Sequence, residues 1–151
     1  MKRVDIFTDG ACQGNPGPGG WAAILVSGQY RREITGYEPA TTNNRMELMA
    51  ALEGLRNLKQ PCEVDLYTDS QYLKNGMEQW LAKWKKNGWR TTGKQPVKNA
   101  DIWEQLEAEA AKHTMRWHWV KGHSGHAENE RCDALANEAI RRRAPVMGRT
   151  S

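Results

Sequence analysis

Two acidic residues, Asp9 and Asp69, end short segments of nearly the same sequence, "VDIFTDG" (4–10) and "VDLYTDS" (64–70). An aspartate before glycine is by itself typical of a turn, but its repetition in the same phase of two strands favours a chemical role. If the strands are parallel neighbours, the carboxylates lie ~5 Å apart, where they repel unless a proton or a cation lies between them. Oxygen ligands alone favour a hard cation such as Mg²⁺ or Mn²⁺.

Two further acids, Glu47 and Asp133, are candidate partners of this pair. Asn44 and Glu47 have the spacing of a helix capping box, which would place Glu47 at the third helical position for structural reasons alone. Asp133 lies beside the apolar stripe of a predicted helix, where a partly buried acid has no evident partner. A hydrogen bond to neighbouring backbone or to Arg131 is the alternative interpretation of Asp133.

The segment from Gln79 to Ala100 is basic and contains no acid. Cations follow a phosphate backbone and aromatic faces stack on bases, so this composition favours a polynucleotide-binding projection. The spacing of Trp80 and Trp84 also predicts that they pack one helix onto its neighbour, and we favour that interpretation for these two. The remaining candidate contacts of the segment are Lys83, Lys85, Lys86, Trp89, Arg90, Lys94 and Lys98.

The order of predicted elements indicates how these residues are positioned. Strand-like segments at 4–9, 21–26 and 30–37 predict an antiparallel meander, with a tight turn in the Gly/Pro run between the first two. A helix capped by Asn44 follows, then a strand, several helices, a strand and a final helix. This order predicts an α/β fold, a mixed sheet with helices packed on its faces.

The 151 residues have room for one domain, predicted over 1–143, and the aperiodic tail 144–151 is expected to be disordered. No apolar run approaches the roughly 18 residues of a membrane span. Three widely spaced cysteines without a C-x-x-C pair favour a reducing compartment, so we expect a cytoplasmic protein. The net charge of +4 is compatible with a polyanionic partner.

Seven strings, read in order, resemble the type 1 ribonuclease H family, closely its bacterial ribonuclease HI subgroup. They are "IFTDGACQGNPGPGG", "TTNNRMELMAAL", "TDSQYL", "WKKNGW", "KQPVKNADIW", "WVKGHSGH" and "NERCDALA". The resemblance implies a mixed five-stranded sheet, three antiparallel strands first and then parallel strands, with helices on both faces. One departure is Ala127, where many relatives have proline.

The resemblance also implies an activity. Members of the family cleave the RNA strand of an RNA/DNA hybrid with divalent metal held by four carboxylates, which match Asp9, Glu47, Asp69 and Asp133 here. His123 of "KGHSGH" would help to move protons or release product, as histidine can near neutral pH. Two Mg²⁺ ions, replaceable by Mn²⁺, would activate water and stabilise the departing O3′, giving 5′-phosphate and 3′-hydroxyl ends.

Substrate contacts are likewise implied by the resemblance. The family reads the 2′-hydroxyl in the minor groove, and Thr42 would contact a phosphate of the DNA strand. The implied minor-groove contacts are the backbone near Gly10 and Cys12 with the side chains of Asn15, Asn43, Asn44 and Gln71. The implied DNA-strand contacts are Trp80, Lys83, Trp84, Lys85, Lys86, Trp89, Arg90 and Lys98. We expect a monomer that binds a hybrid, with no membrane and no obligate protein partner.

Three other interpretations remain open at this point. One is a zinc site formed by His118, His123, His126 and Cys132, although the spacing matches no common structural zinc pattern. The second is a nuclease with the same fold that acts on another nucleic acid, as resolvases and integrases do. The third is a binding module without activity, which the four acids argue against.

Overall fold

The computed structural model describes residues 1–121 and 126–143, and the backbone of 147–149. One six-stranded sheet runs through this part of the chain in the order β5-β4-β1-β2-β3-β6. The strands are β1 (Lys2–Cys12), β2 (Gly17–Ser27), β3 (Tyr30–Thr41), β4 (Cys62–Thr68), β5 (Thr114–Trp119) and β6 (Met147–Arg149). The helices are α1 (Asn43–Arg56), α2 (Gln71–Asn75), α3 (Leu81–Lys86), α4 (Ala100–Ala110) and α5 (Ala127–Arg142).

The predicted mixed sheet is confirmed. β1, β2 and β3 form an antiparallel meander, and β4 and β5 continue the sheet in parallel on the other side of β1. The sequence does not predict β6, which pairs antiparallel with β3 opposite Glu33–Thr35. This strand, Met147–Arg149, lies within the tail 144–151, whose disorder stays a prediction for the rest of the segment. Three residues are too few to show periodicity, and their order comes from pairing with an edge strand.

Helices cover both faces of the sheet, as predicted, because side chains of β1 and β2 alternate between two cores. Ile6 and Ala23 belong to the larger core, which also takes residues of α1 and α4. Ala22 and Ile24 face the opposite way and pack with Cys132 and other residues of α5. None of the described helices is long and apolar enough to cross a membrane.

Helix α1 begins two residues earlier than the sequence predicts. Thr42 is its N-cap, and the Thr42 hydroxyl oxygen accepts a hydrogen bond from the Arg45 amide at 3.2 Å. Asn44 is therefore not the cap, and Glu47 is the fifth helical residue, too far along for a capping box. The structural interpretation of Glu47 is wrong, and its buried position needs another explanation.

The glycine-rich run after Asp9 is mostly strand. β1 extends to Cys12 and β2 begins at Gly17, so the turn is confined to residues 13–16, where the Asn15–Pro16 peptide is cis. A Cβ placed on Gly10 would lie 2.5 Å from the Glu47 nitrogen. Because glycine has no Cβ, the backbone of α1 near Glu47 can pack closely against the backbone of β1 at Gly10.

The chain from Gln71 to Lys86, after β4, is helical with a change of helical period. Ser70 caps α2 through a 3.1 Å hydrogen bond from the Leu73 amide to the Ser70 hydroxyl. A π-helical turn, Gly76–Trp80, joins α2 to α3. α3 ends at Lys86, and Gly88 follows two residues later with a φ of +63°.

Candidate active site

Three carboxylates meet at one end of the sheet. Asp9 lies in β1, Glu47 in α1 and Asp69 directly after β4, and one oxygen of each lies within 4.8 Å of the others. The parallel register pairs Phe7 with Tyr67, which places Asp9 and Asp69 at the same level of neighbouring strands. The prediction that these two acids lie side by side is confirmed.

Burial and mutual repulsion make this cluster electrostatically strained. Burial is the main cause that raises the pKa of Asp9, and the charges of Asp69 and Asp133 raise it further. The Gly10 amide opposes the shift by donating to the Asp9 carboxylate at 2.9 Å. Burial and the charges of Asp9 and Asp69 also hold the pKa of Glu47 well above its usual range. The acids can all ionise only if a positive charge joins them.

Two oxygen atoms of the cluster lack the contacts that buried polar atoms normally have. Within the described residues, Glu47 Oε1 and Asp69 Oδ1 are buried and have no hydrogen-bond partner. Almost all buried polar atoms in folded proteins are paired, so these oxygens need a ligand. A donor set made only of carboxylate oxygens fits a hard divalent cation such as Mg²⁺ or Mn²⁺.

Asp133, in α5, lies close enough to Asp9 to raise the pKa of that carboxyl. Its side chain is half-buried and accepts a hydrogen bond from Asn137 Nδ2 at 3.3 Å. The alternative interpretation of a bond to Arg131 is wrong, because the Arg131 guanidinium pairs with Glu33 on β3 at 3.0 Å. Asp133 therefore lies beside the three-carboxylate cluster.

His123 lies outside the described residues, which resume at residue 126. The zinc interpretation also invokes three residues that the structure does describe, and two of them, His118 and Cys132, make other contacts. His118 Nε2 lies 2.8 Å from Asp65 Oδ1, and the Cys132 thiol donates to the Phe7 carbonyl at 3.2 Å. Among the described residues, the one group of possible metal ligands is the acidic one.

The sequence does not single out Trp119, which contacts this site. Its indole N–H donates to the Asp69 carbonyl oxygen at 3.1 Å. Trp119 ends β5 opposite Thr68, the last residue of β4. The contact follows from the parallel register of two strands that are far apart in sequence, and only that pairing could have revealed it.

A groove of about 310 Å³ lies beside the start of α1 and joins several predicted substrate contacts. Its lining residues are Asn15, Thr42, Asn44, Tyr72, Trp84, Thr91, Val97, Lys98 and Asn99. The Asn15 side chain accepts from the Asn43 amide at 3.0 Å, which ties the turn at 13–16 to α1. Gln71, the first residue of α2, is exposed.

Cys12, another predicted contact, is half-buried near the end of β1. Its thiol lies 3.5 Å from the Gly17 carbonyl and 3.4 Å from the Thr41 carbonyl, with donor geometry toward both. These contacts hold the ends of β1, β2 and β3 together. Cys12 thus has a structural role where these three strands end.

The basic segment is anchored by its tryptophans. The ring centroids of Trp84 and Trp103, in α4, lie 5.5 Å apart, and Trp80 and Trp89 each lie against Trp84. This confirms the packing interpretation of Trp84. A second cavity, of about 330 Å³, is lined by Trp80, Lys83, Trp84, Asn87, Arg90, Thr91 and Thr92.

The lysines of this segment are exposed, but they are not equivalent. Lys85 Nζ forms an ion pair with Glu107 of α4 at 2.9 Å. Lys83 and Arg90 line the second cavity, and Lys98 lines the groove beside α1. Of the predicted DNA-strand contacts, Trp80, Lys83, Trp84, Arg90 and Lys98 line these two concave surfaces, Lys85 contacts α4, and Lys86 is exposed outside both.

Comparison with known proteins agrees with this geometry. The family described as RNase H matches residues 1–141. The chain belongs to the ribonuclease H family. This ribonuclease H is 61% identical over 140 residues to the ribonuclease H of Rhodopseudomonas palustris (strain TIE-1), with 93% of this chain and 90% of that protein covered. It is 58% identical over 151 residues to the ribonuclease H of Alcanivorax borkumensis, with both chains covered completely.

Solved structures confirm the predicted fold. LC9-RNase H1, described as a type 1 RNase H with the type 2 active-site motif, superposes with a TM-score of 0.88 at 31% identity, covering 99% of this ribonuclease H and 78% of that chain. RNase H1 from Halobacterium salinarum NRC-1 gives a TM-score of 0.66 at 28% identity, covering 93% of this chain and 98% of the other.

Proposed function

We propose that this ribonuclease H is an endonuclease that hydrolyses the RNA strand of RNA/DNA hybrids with divalent metal. The observation that carries the proposal is the buried cluster of Asp9, Glu47 and Asp69, whose oxygens lie within 4.8 Å of one another and include two without partners among the described residues. A basic, aromatic segment suited to a polynucleotide lines a groove at the start of α1, the helix that carries Glu47. The relatives named ribonuclease H support the choice of hybrid substrate.

Asp9, Glu47, Asp69 and Asp133 would hold the metal, as two Mg²⁺ ions in the presence of substrate, with Mn²⁺ as a substitute. When bound, the metal lowers the pKa of the attacking water and stabilises negative charge on the departing O3′ oxygen. The raised pKa values of Asp9 and Glu47 indicate that these acids accept positive charge readily. We expect products with 5′-phosphate and 3′-hydroxyl ends.

Other residues would bind and orient the hybrid. The amides of Asn15, Asn43, Asn44 and Gln71 surround the start of α1 and α2, where they can hydrogen-bond to 2′-hydroxyl groups and base edges. Exposed cations of the basic segment would contact phosphates of the DNA strand. His123 would move a proton near neutral pH.

The test compares a labelled RNA/DNA hybrid, duplex DNA and single-stranded RNA in the presence of Mg²⁺. We expect cleavage of the hybrid RNA alone, and loss of that cleavage in Asp9→Asn because one of the clustered carboxylates is removed. Asp5→Asn is the matched control, since Asp5 is a half-buried acid on the same strand and outside the cluster. Equal cleavage of all three substrates, or an active Asp9→Asn variant, would contradict the proposal.

A further inference from the structure

The three clustered carboxylates are anchored in the fold in different ways. Asp9 lies within β1, opposite Ala22 of β2, and its carboxylate accepts a hydrogen bond from the Gly10 amide. Glu47 lies inside α1. Asp69 belongs to neither a strand nor a helix, because β4 ends one residue before it and the cap of α2 comes one residue after it.

Neither strand pairing nor a helical hydrogen bond of its own residue therefore fixes the backbone that carries the Asp69 side chain. Asp69 Oδ1 is buried without a hydrogen-bond partner among the described residues. The pairing of β4 with β5 ends at Thr68 and Trp119, and the Val120 amide donates to the Thr68 carbonyl at 2.8 Å. The Trp119 indole N–H extends this attachment by one residue, to the Asp69 carbonyl.

Trp119 is an unusual choice for a purely structural residue. It is 41% exposed, and it does not belong to either of the buried apolar clusters. Burying apolar surface is what makes a large aromatic residue stabilising, so a tryptophan this exposed contributes little of that kind. Its specific contact is the hydrogen bond to the residue that carries a clustered carboxylate.

We infer that Trp119 is a positioning residue that holds the Asp69 peptide so that the Asp69 carboxylate stays within reach of those of Asp9 and Glu47. The inference rests on the proposed function, in which these acids hold the metal. A single hydrogen bond of this kind changes an equilibrium by roughly three- to tenfold. Water can replace the lost donor at an exposed carbonyl, so the fold itself should not depend on it.

The experiment uses Trp119→Phe, which keeps an aromatic ring and removes the N–H. Tyr30→Phe is the matched control, because Tyr30 is a 50% exposed aromatic residue at the start of β3 that loses its polar group away from the site. Trp119→Leu, which removes both ring and donor, separates the two contributions. Each variant is measured for Mg²⁺ binding by calorimetry without nucleic acid, for its unfolding temperature, and for hybrid cleavage against Mg²⁺ concentration.

We expect the Kd for Mg²⁺ to rise roughly three- to tenfold in both Trp119 variants, with the same shift in the Mg²⁺ concentration that half-saturates cleavage. The unfolding temperature, the KM for hybrid and the kcat at saturating Mg²⁺ should stay close to those of the unaltered protein. Tyr30→Phe should change none of these quantities.

The inference is overturned if Trp119→Phe binds Mg²⁺ as tightly as the unaltered protein, or if only Trp119→Leu shows the loss. It is also overturned if Mg²⁺ affinity, unfolding temperature and KM all worsen together, because that pattern reports general loosening. If the unaltered protein binds Mg²⁺ but cleaves no hybrid, while Trp119→Phe still binds Mg²⁺ more weakly, the proposed function fails and the positioning role stands.

Discussion

Asp65 and Asp69 are four residues apart on and just beyond the same strand, yet their surroundings are opposite. The Asp65 carboxylate accepts hydrogen bonds from Arg116 at 2.8 and 3.0 Å and from Arg3 at 3.4 Å. These cations, Arg116 foremost, lower the pKa of Asp65, whereas burial and like charges raise the pKa values of Asp9 and Glu47, the two acids beside Asp69. The buried acid Asp65 has cationic partners within the chain, whereas no ion pair with a described residue neutralises the clustered acids.

The largest effect expected from this contrast is on catalysis. Glu47→Gln should reduce hybrid cleavage by more than about 10²-fold, since even residues that only orient metal ligands are worth roughly 10- to 100-fold. Without Mg²⁺ the same change should raise the free energy of unfolding, because it removes repulsion from a buried cluster. Cleavage assays and urea unfolding measure the two quantities.

Glu53→Gln is the control for this change, because Glu53 lies on the same helix and pairs with Arg56 at the surface. It should alter stability by less than about 1 kcal/mol and leave cleavage unchanged. A Glu47→Gln variant that loses stability as well as activity would show that the cluster is structural after all.

The next largest effect should appear at the paired acid. Asp65→Asn should lower the free energy of unfolding by about 1–3 kcal/mol, because it leaves Arg116 and His118 without their charged acceptor, and it should retain cleavage. Urea unfolding and the hybrid assay measure the two properties. Glu63→Gln, which removes a longer 3.8 Å contact with the same Arg116, should have a smaller effect. Loss of activity in Asp65→Asn would contradict a purely structural role.

The smallest effect is a difference in pH dependence. Folding raises the pKa values of Asp9 and Glu47. Below about pH 4 both groups are protonated in the folded and the unfolded protein, so their burial does not lower the free energy of unfolding. Above that pH they ionise more easily in the unfolded protein, and the free energy of unfolding falls as pH rises toward their folded pKa. The stability advantage of Glu47→Gln should therefore grow as pH rises from about 4 toward neutral without Mg²⁺.

Asp65 should behave in the opposite way, because its pKa is lowered by folding. Its contribution is present above the unfolded pKa near 4 and is lost as pH falls below that value. Unfolding curves across this range, with and without Mg²⁺, measure both slopes. A Glu47→Gln advantage that stays constant with pH would contradict the assigned repulsion.

Local patterns were sufficient to predict part of this site. Asp9 and Asp69 occupy the same position in two segments with the same alternation, so a few residues of sequence are enough to show that they share a phase. Glu47 was ambiguous, because its role depends on where α1 starts, and the Thr42 cap competes with Asn44. With Asn44 as the cap, Glu47 would be a capping acid at the third helical position. With Thr42 as the cap, two residues earlier, Glu47 lies further along the helix and is buried.

Contacts between distant segments could not be predicted in the same way. The partners of Asp65 and the bond from Trp119 to Asp69 both require the register of β5 beside β4, which no short sequence pattern specifies. The pairing of β6 with β3 likewise joins two segments that are far apart in sequence, so no short pattern predicts it. Composition did predict the basic segment, but not the ion pair that attaches Lys85 to Glu107.

The π-helical turn of Gly76–Trp80 sets the angular phase of the basic segment. Residues eight apart on a regular α-helix differ by about 80° in direction, since each step turns the chain by about 100°. The one extra residue of the wide turn brings them to within about 20°. Gly76, the first residue of the turn, and Trp84, beyond it, can thus both face Trp103, where a Cβ on Gly76 would meet the indole ring at 2.0 Å. The extra residue of the turn rotates α3 about its axis relative to α2. The direction in which the lysines of α3 project therefore depends on that one residue.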